Sequence, residues 1–157
     1  MITPDSLFPQ RKRLPHLVPP WVAQDARHFI TVNARQREAA PFASPTLASA
    51  LLQSLLVYES SGKWHLWLAV VMPDHIHFIA TFNRDHVLAA SVVAWKGYQA
   101  RTLGLRFQSG FFEHRLRDDA EFVEKAAYIR QNPVRKGLVT DAASWPFLYE
   151  KADAPVG

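Results

Sequence analysis

The chain has 157 residues, the size of one domain, and 48% of them are hydrophobic, enough to bury a real core. It contains no cysteine, which excludes a disulfide scaffold and a thiolate metal site and suits a reducing cytoplasm, the expected location. No apolar run is long enough to span a bilayer, so no membrane partner is expected, and the N-terminus lacks the apolar core of a signal peptide. The formal net charge of +4 is compatible with a polyanionic partner but does not by itself establish one.

Residues 1–26 are proline-rich and carry the basic cluster Arg11-Lys12-Arg13, which reads as an extended arm. The domain proper is expected over 27–140, with a short tail over 141–157. "RHFITVNA" (27–34) alternates and is rich in β-branched residues, predicting a strand. In "SPTLASALLQSLLVYES" (44–60), Leu47, Leu51, Leu55 and Tyr58 share one helical face, with Ser44 as cap and Pro45 at the first helical position. "WHLWLAVVM" (64–72) predicts a buried strand, "PD" at Pro73-Asp74 turns the chain, and "HIHFIATF" (75–82) returns as the next strand.

A helix over 86–105 and a strand over 110–117 follow. "DDAEFVEKAAYIRQN" (118–132) predicts a last helix, with acidic residues in its first turn and Pro133 as its stop. The tail reads as irregular or short-helical. The order β-α-β-β-α-β plus one more helix is that of an α+β, ferredoxin-like antiparallel sheet, with an additional helix to cover its open face.

Two features carry chemistry. His75 and His77 lie two apart in a strand and therefore point to one face, with Cβ atoms roughly 6–7 Å apart. Two imidazoles so placed can converge on one divalent ion, or simply hydrogen-bond to backbone or water. Tyr128 and Asn132 lie four apart on the last helix and share a face. An amide oxygen can be a third metal ligand and a phenol beside a metal a nucleophile; alternatively Tyr128 is core and Asn132 a C-cap. Asp74 reads as a turn residue that steadies His75.

"MPDHIHFI", followed by "GFFEHRLRD" and "AAYIRQNPVRKGLV", resembles the single-tyrosine HUH transposases of small insertion sequences, and among them the REP-associated tyrosine transposases. The resemblance spans about residues 11–149, and "YIRQNPVRKGLV" is its most specific piece. Lys96 in "AWKGY" and Gln108 in "FQSGFF" fall where such proteins carry similar residues; Phe107 stands where tryptophan is expected.

The resemblance implies a metal-dependent DNA transposase that cuts and rejoins single-stranded or hairpin DNA through a 5′-phosphotyrosine link. Tyr128 would be the nucleophile, and His75, His77 and Asn132 the ligands of Mg²⁺ or Mn²⁺. His114 and Gln108 are possible accessory groups: His114 could lie on the central strand near the metal or assist a proton transfer, or equally be a partly buried histidine with a backbone partner. Candidate DNA-binding cations are Arg11, Lys12, Arg13, Lys96, Arg115, Arg117, Arg130, Arg135 and Lys136. A monomer is expected, with a dimer as the alternative. The competing reading is a hairpin-binding protein whose catalysis is vestigial.

Overall fold

The computed structural model describes residues 26–82, 87–152 and 154–155. Among them, strands β1 (Arg27–Asn33), β2 (Trp64–Val71), β3 (His75–Phe82), β4 (Phe112–Leu116) and β5 (Leu148–Glu150) form one sheet, in the order β4-β1-β3-β2-β5. Every pairing is antiparallel. Helices α1 (Pro45–Ser60), α2 (Leu88–Leu103) and α3 (Asp119–Arg135) complete the α+β fold. No described helix is long and apolar enough to cross a membrane.

Alternation sorts the two faces of the sheet. Ile30, Val32, Leu66, Ile76 and Phe78 pack with Leu51 and Leu55 of α1 and Val92 and Trp95 of α2. Full burial of each such side chain contributes about 1.5–3 kcal/mol. Ser44 caps α1, its hydroxyl accepting from Leu47 N at 3.4 Å, and Pro45 opens it. The indoles of this layer are satisfied: Trp64 donates to the Leu55 carbonyl and Trp95 to the Ser54 hydroxyl.

On the other face, Phe29, Leu68, Val70, Met72, Ile79 and Leu116 meet α3 through Phe122, Ala126 and Ile129. These last three lie four and then three residues apart, one helical stripe. Asn132 and Pro133 continue that stripe and are buried with it. The helix therefore does not stop at Asn132 as the proline predicts; it runs on to Arg135. Pro133 has no N–H to reach the carbonyl of Ile129, but it falls in the last turn, where packing on the sheet outweighs one missing bond.

The tail also departs from expectation. Leu148–Glu150 pair with Leu68–Val70 as an edge strand, and the Trp145 indole donates to the Val71 carbonyl at 3.1 Å. Strand β4 closes the opposite edge, so His114 lies on an edge strand and not a central one. The start of the expected 86–105 helix, His86, and the arm cluster Arg11-Lys12-Arg13 lie outside the described residues.

Candidate active site

β3 is the middle strand of the sheet and is buried along nearly its whole length. Alternation turns His75 and His77 toward α3, on the face that also carries Phe29 and Thr31 of β1. The two imidazole rings are 4.5 Å apart between centroids, and only 4% and 6% of the residues is exposed. Each ring is held from behind. The Nδ1–H of His75 donates to Asp74 Oδ1 at 2.6 Å, and His77 Nδ1 shares a hydrogen bond with Thr31 Oγ1 at 2.8 Å. Phe29 stacks on His77 with centroids 5.2 Å apart.

Nε2 is then the nitrogen each ring keeps for a ligand. For His75 it lies 3.3 Å from the side-chain amide nitrogen of buried Asn132. Turning that amide by 180° would put its oxygen in the same place, a choice set by whatever the site holds. Burial pushes both histidines below the ordinary imidazole range, His77 to about 3, so both are neutral with a free lone pair at neutral pH. For Asp74, burial alone would raise the carboxyl pKa, but hydrogen bonds and charge from His75 and Arg37 outweigh it and hold the group ionised.

Two neutral imidazoles, one backed by a carboxylate, and one buried amide form a donor set that fits a divalent transition ion. Such a set suits Mn²⁺ better than Mg²⁺, which prefers oxygen throughout. Among the described residues no cluster of three His, Cys, Asp or Glu side chains could hold a metal; the Asn132 amide, 3.3 Å from His75 Nε2, is a further protein donor beside the two imidazoles.

Tyr128 sits one helical turn before Asn132. Its ring meets the His77 ring edge-on with centroids 5.5 Å apart, and the residue is 37% exposed, so one side faces the imidazoles and the other faces water. Two cations flank it: Arg135 Cζ lies 5.0 Å and Lys125 Nζ 5.9 Å from the ring centroid. Lys125 is absent from the sequence-derived set, although its i−3 spacing from Tyr128 was readable.

The remaining candidates divide. Lys136 is exposed at the C-cap of α3, and Arg117 is exposed beside His114 and Lys125 in an open cleft. Arg130, by contrast, is paired with Glu150, through Nε–H to Oε2 at 3.1 Å and a second bond to Oε1, and so ties α3 to β5. Lys96 Nζ donates to the carbonyls of Gln108 and Gly110 at 2.7 and 2.6 Å, holding the loop before β4. Arg115 is opposite His28 in the sheet register, on the face away from His75 and His77. Gln108 is exposed at the end of β1, where its N–H donates to the Asn33 carbonyl. His114 does lie on the α3 face, opposite Phe29, but its Nε2 bonds the Glu121 carboxylate.

No protein-family model matches the chain. It is 28% identical over 122 residues to the REP-associated tyrosine transposase of Escherichia coli, an overlap of 76% of this chain and 73% of that one. A solved structure of a REP-associated tyrosine transposase bound to a REP hairpin superposes with a TM-score of 0.70 at 25% identity, covering 83% of this chain and 80% of the other. A Deinococcus radiodurans structure, at 18% identity and a TM-score of 0.51, shares the fold. The motifs around His75 and Tyr128 thus sit in a chain that is similar, in sequence and in fold, to the REP-associated tyrosine transposases.

Proposed function

We propose that this protein is a DNA transposase that cuts and rejoins single-stranded, hairpin-forming DNA, with Tyr128 as nucleophile and His75, His77 and Asn132 as a metal site. The observation that carries the reading is the seating of Tyr128 against His77 on the same face where His75 meets Asn132. The similarity to a transposase solved with a REP hairpin supports the choice of DNA over other phosphodiesters.

The phenol oxygen of Tyr128 attacks phosphorus and loses its proton to solvent. The bond from phosphorus to the 3′ oxygen breaks, and that oxygen takes up a proton from solvent and leaves as a 3′-hydroxyl. The 5′-phosphate stays on tyrosine. A phosphotyrosine diester keeps about the energy of the bond it replaced, so a 3′-hydroxyl can attack it later and restore a DNA strand without a nucleotide cofactor. A divalent ion held at the site would withdraw charge from the non-bridging oxygens and from the leaving oxygen. Lys125 and Arg135, with their charged ends 5.9 and 5.0 Å from the centre of the Tyr128 ring, would hold the phosphate against it. Lys136, exposed at the C-cap of α3, is a further candidate phosphate contact, whereas Arg117 shares its cleft with Asp118, Glu121 and Glu124.

The polarity of the adduct tests this reading. Hairpin oligonucleotides labelled on either side of the cut are incubated with the protein and Mn²⁺ and run on a denaturing gel. The label on the 3′ side should migrate with protein, and the 5′ fragment should end in a hydroxyl that a polymerase extends. A label on the 5′ side travelling with protein, or fragments with no adduct, would refute it.

A further inference from the structure

We infer that Arg37 is a positioning residue for the histidine pair: it holds the Asp74 carboxylate in the orientation that turns Nε2 of His75 into the site. Its bearing on metal rests on the metal-site reading above. Arg37 opens a single turn of 3-10 helix, Arg37–Ala39, in the connection between β1 and α1. That connection is strapped to the turn before β3 on both sides of Arg37. The Ala34 N–H donates to the Asp74 carbonyl and the Phe42 N–H to the Pro73 carbonyl, each at 2.9 Å. Within this strap Ala40 adopts a left-handed conformation at φ 46°, closing the turn around Arg37.

The side chains then form a line. Arg37 Nε–H donates to Asp74 Oδ2 at 3.0 Å, Asp74 Oδ1 accepts from His75 Nδ1–H at 2.6 Å, and His75 Nε2 lies 3.3 Å from the Asn132 amide. A carboxylate gripped by one oxygen alone still rotates about its terminal torsion, which is broad. Gripped at both oxygens it does not, and the imidazole it holds is fixed in tautomer and tilt. The donor must therefore have a direction. A guanidinium Nε–H is fixed in the plane of its group, whereas an ammonium is a rotating point charge. The Arg37 side chain is 44% exposed, so the pair itself adds little to stability. Its effect falls on the geometry of His75.

The test uses the full chain freed of metal. Mn²⁺ binding is followed by the electron paramagnetic resonance of free Mn²⁺, and the protonation of each His75 ring nitrogen by ¹⁵N spectra of the metal-free protein. Arg37→Ala should weaken Mn²⁺ binding about ten- to a hundredfold. It should also reduce the Nδ1–H fraction of His75, while the melting temperature and the metal-free affinity for hairpin DNA stay as in the wild type. Arg37→Lys should recover only part of the metal affinity, and Asp74→Ala should match or exceed the loss in Arg37→Ala. Wild-type Mn²⁺ affinity with an unchanged His75 spectrum in Arg37→Ala would overturn the inference. So would a loss of metal-free hairpin affinity with His75 unchanged, which would make Arg37 a DNA contact. A wild-type chain that binds no Mn²⁺ would sink the metal site, and the His75 spectrum would still decide the part played by Arg37.

Discussion

The side-chain amide of Asn132 lies 3.3 Å from Nε2 of His75, although 57 positions separate the two residues and one lies on a helix, the other on the central strand. Replacing Asn132 tests whether this contact is a ligand arrangement or only a buried hydrogen bond. Asn132→Leu leaves His75 Nε2 without a partner and should cost about 1–3 kcal/mol of stability as well as metal affinity. Asn132→Asp keeps an oxygen at the site and should retain Mn²⁺ binding. Calorimetric titration with Mn²⁺ and a melting curve separate the two effects; equal Mn²⁺ affinity in the wild type and the leucine variant would remove Asn132 from the metal site.

The cations of α3 should behave differently from one another. Arg135 and Lys125 flank Tyr128, so alanine at either should lower hairpin affinity and flatten the plot of log affinity against log salt by about one unit of slope. Arg130 is engaged by Glu150, and Arg130→Ala should leave the salt slope unchanged and cost about 1 kcal/mol of stability, the two side chains of the pair being 28% and 32% exposed. A salt slope that falls in Arg130→Ala would show that DNA binding breaks the Glu150 pair.

Acid should unfold the metal-free protein early. Burial depresses His77 to about 3 in the fold, against about 6.5 in the unfolded chain, and His75 is shifted the same way. Between those values the unfolded chain binds more protons than the folded one. Their contribution is therefore intact above pH 6.5 and is lost as pH falls toward 3, at no more than about 1.4 kcal/mol per pH unit for one group. Denaturant midpoints measured from pH 7.5 to pH 4 should fall, and His77→Phe should flatten the fall.

Much of this was legible because it is local. The strand over 75–82 is bounded as its alternation predicts, and Ser44 and Pro45 start α1 by cap chemistry that involves four residues. The facing of His75 with His77, and of Tyr128 with Asn132, follows from the strand and helix repeats alone. What sequence did not disclose depends on partners far along the chain. Strand β5 is three residues long and exists because β2 offers it an edge. The helix passes Pro133 because its apolar stripe packs on Val70 and Ile79. Thr31 behind His77, Arg37 behind Asp74 and Glu150 on Arg130 are set by register and connection geometry, to which composition is blind. Lys125 is the exception: it lies three residues before Tyr128 and could have been read from spacing.

The most direct test of the account is Tyr128→Phe. The change keeps the ring, its packing against His77 and Phe29 and its proximity to Lys125 and Arg135, and removes only the phenol oxygen. Hairpin DNA and Mn²⁺ are added to the wild type and the variant, and covalent adduct and cut strand are quantified on a denaturing gel beside a binding titration. The variant should bind the hairpin within about twofold of the wild type, with no adduct and no cut strand. Cutting at the wild-type rate by the phenylalanine variant would contradict the mechanism, because a water molecule and not Tyr128 would then be the nucleophile.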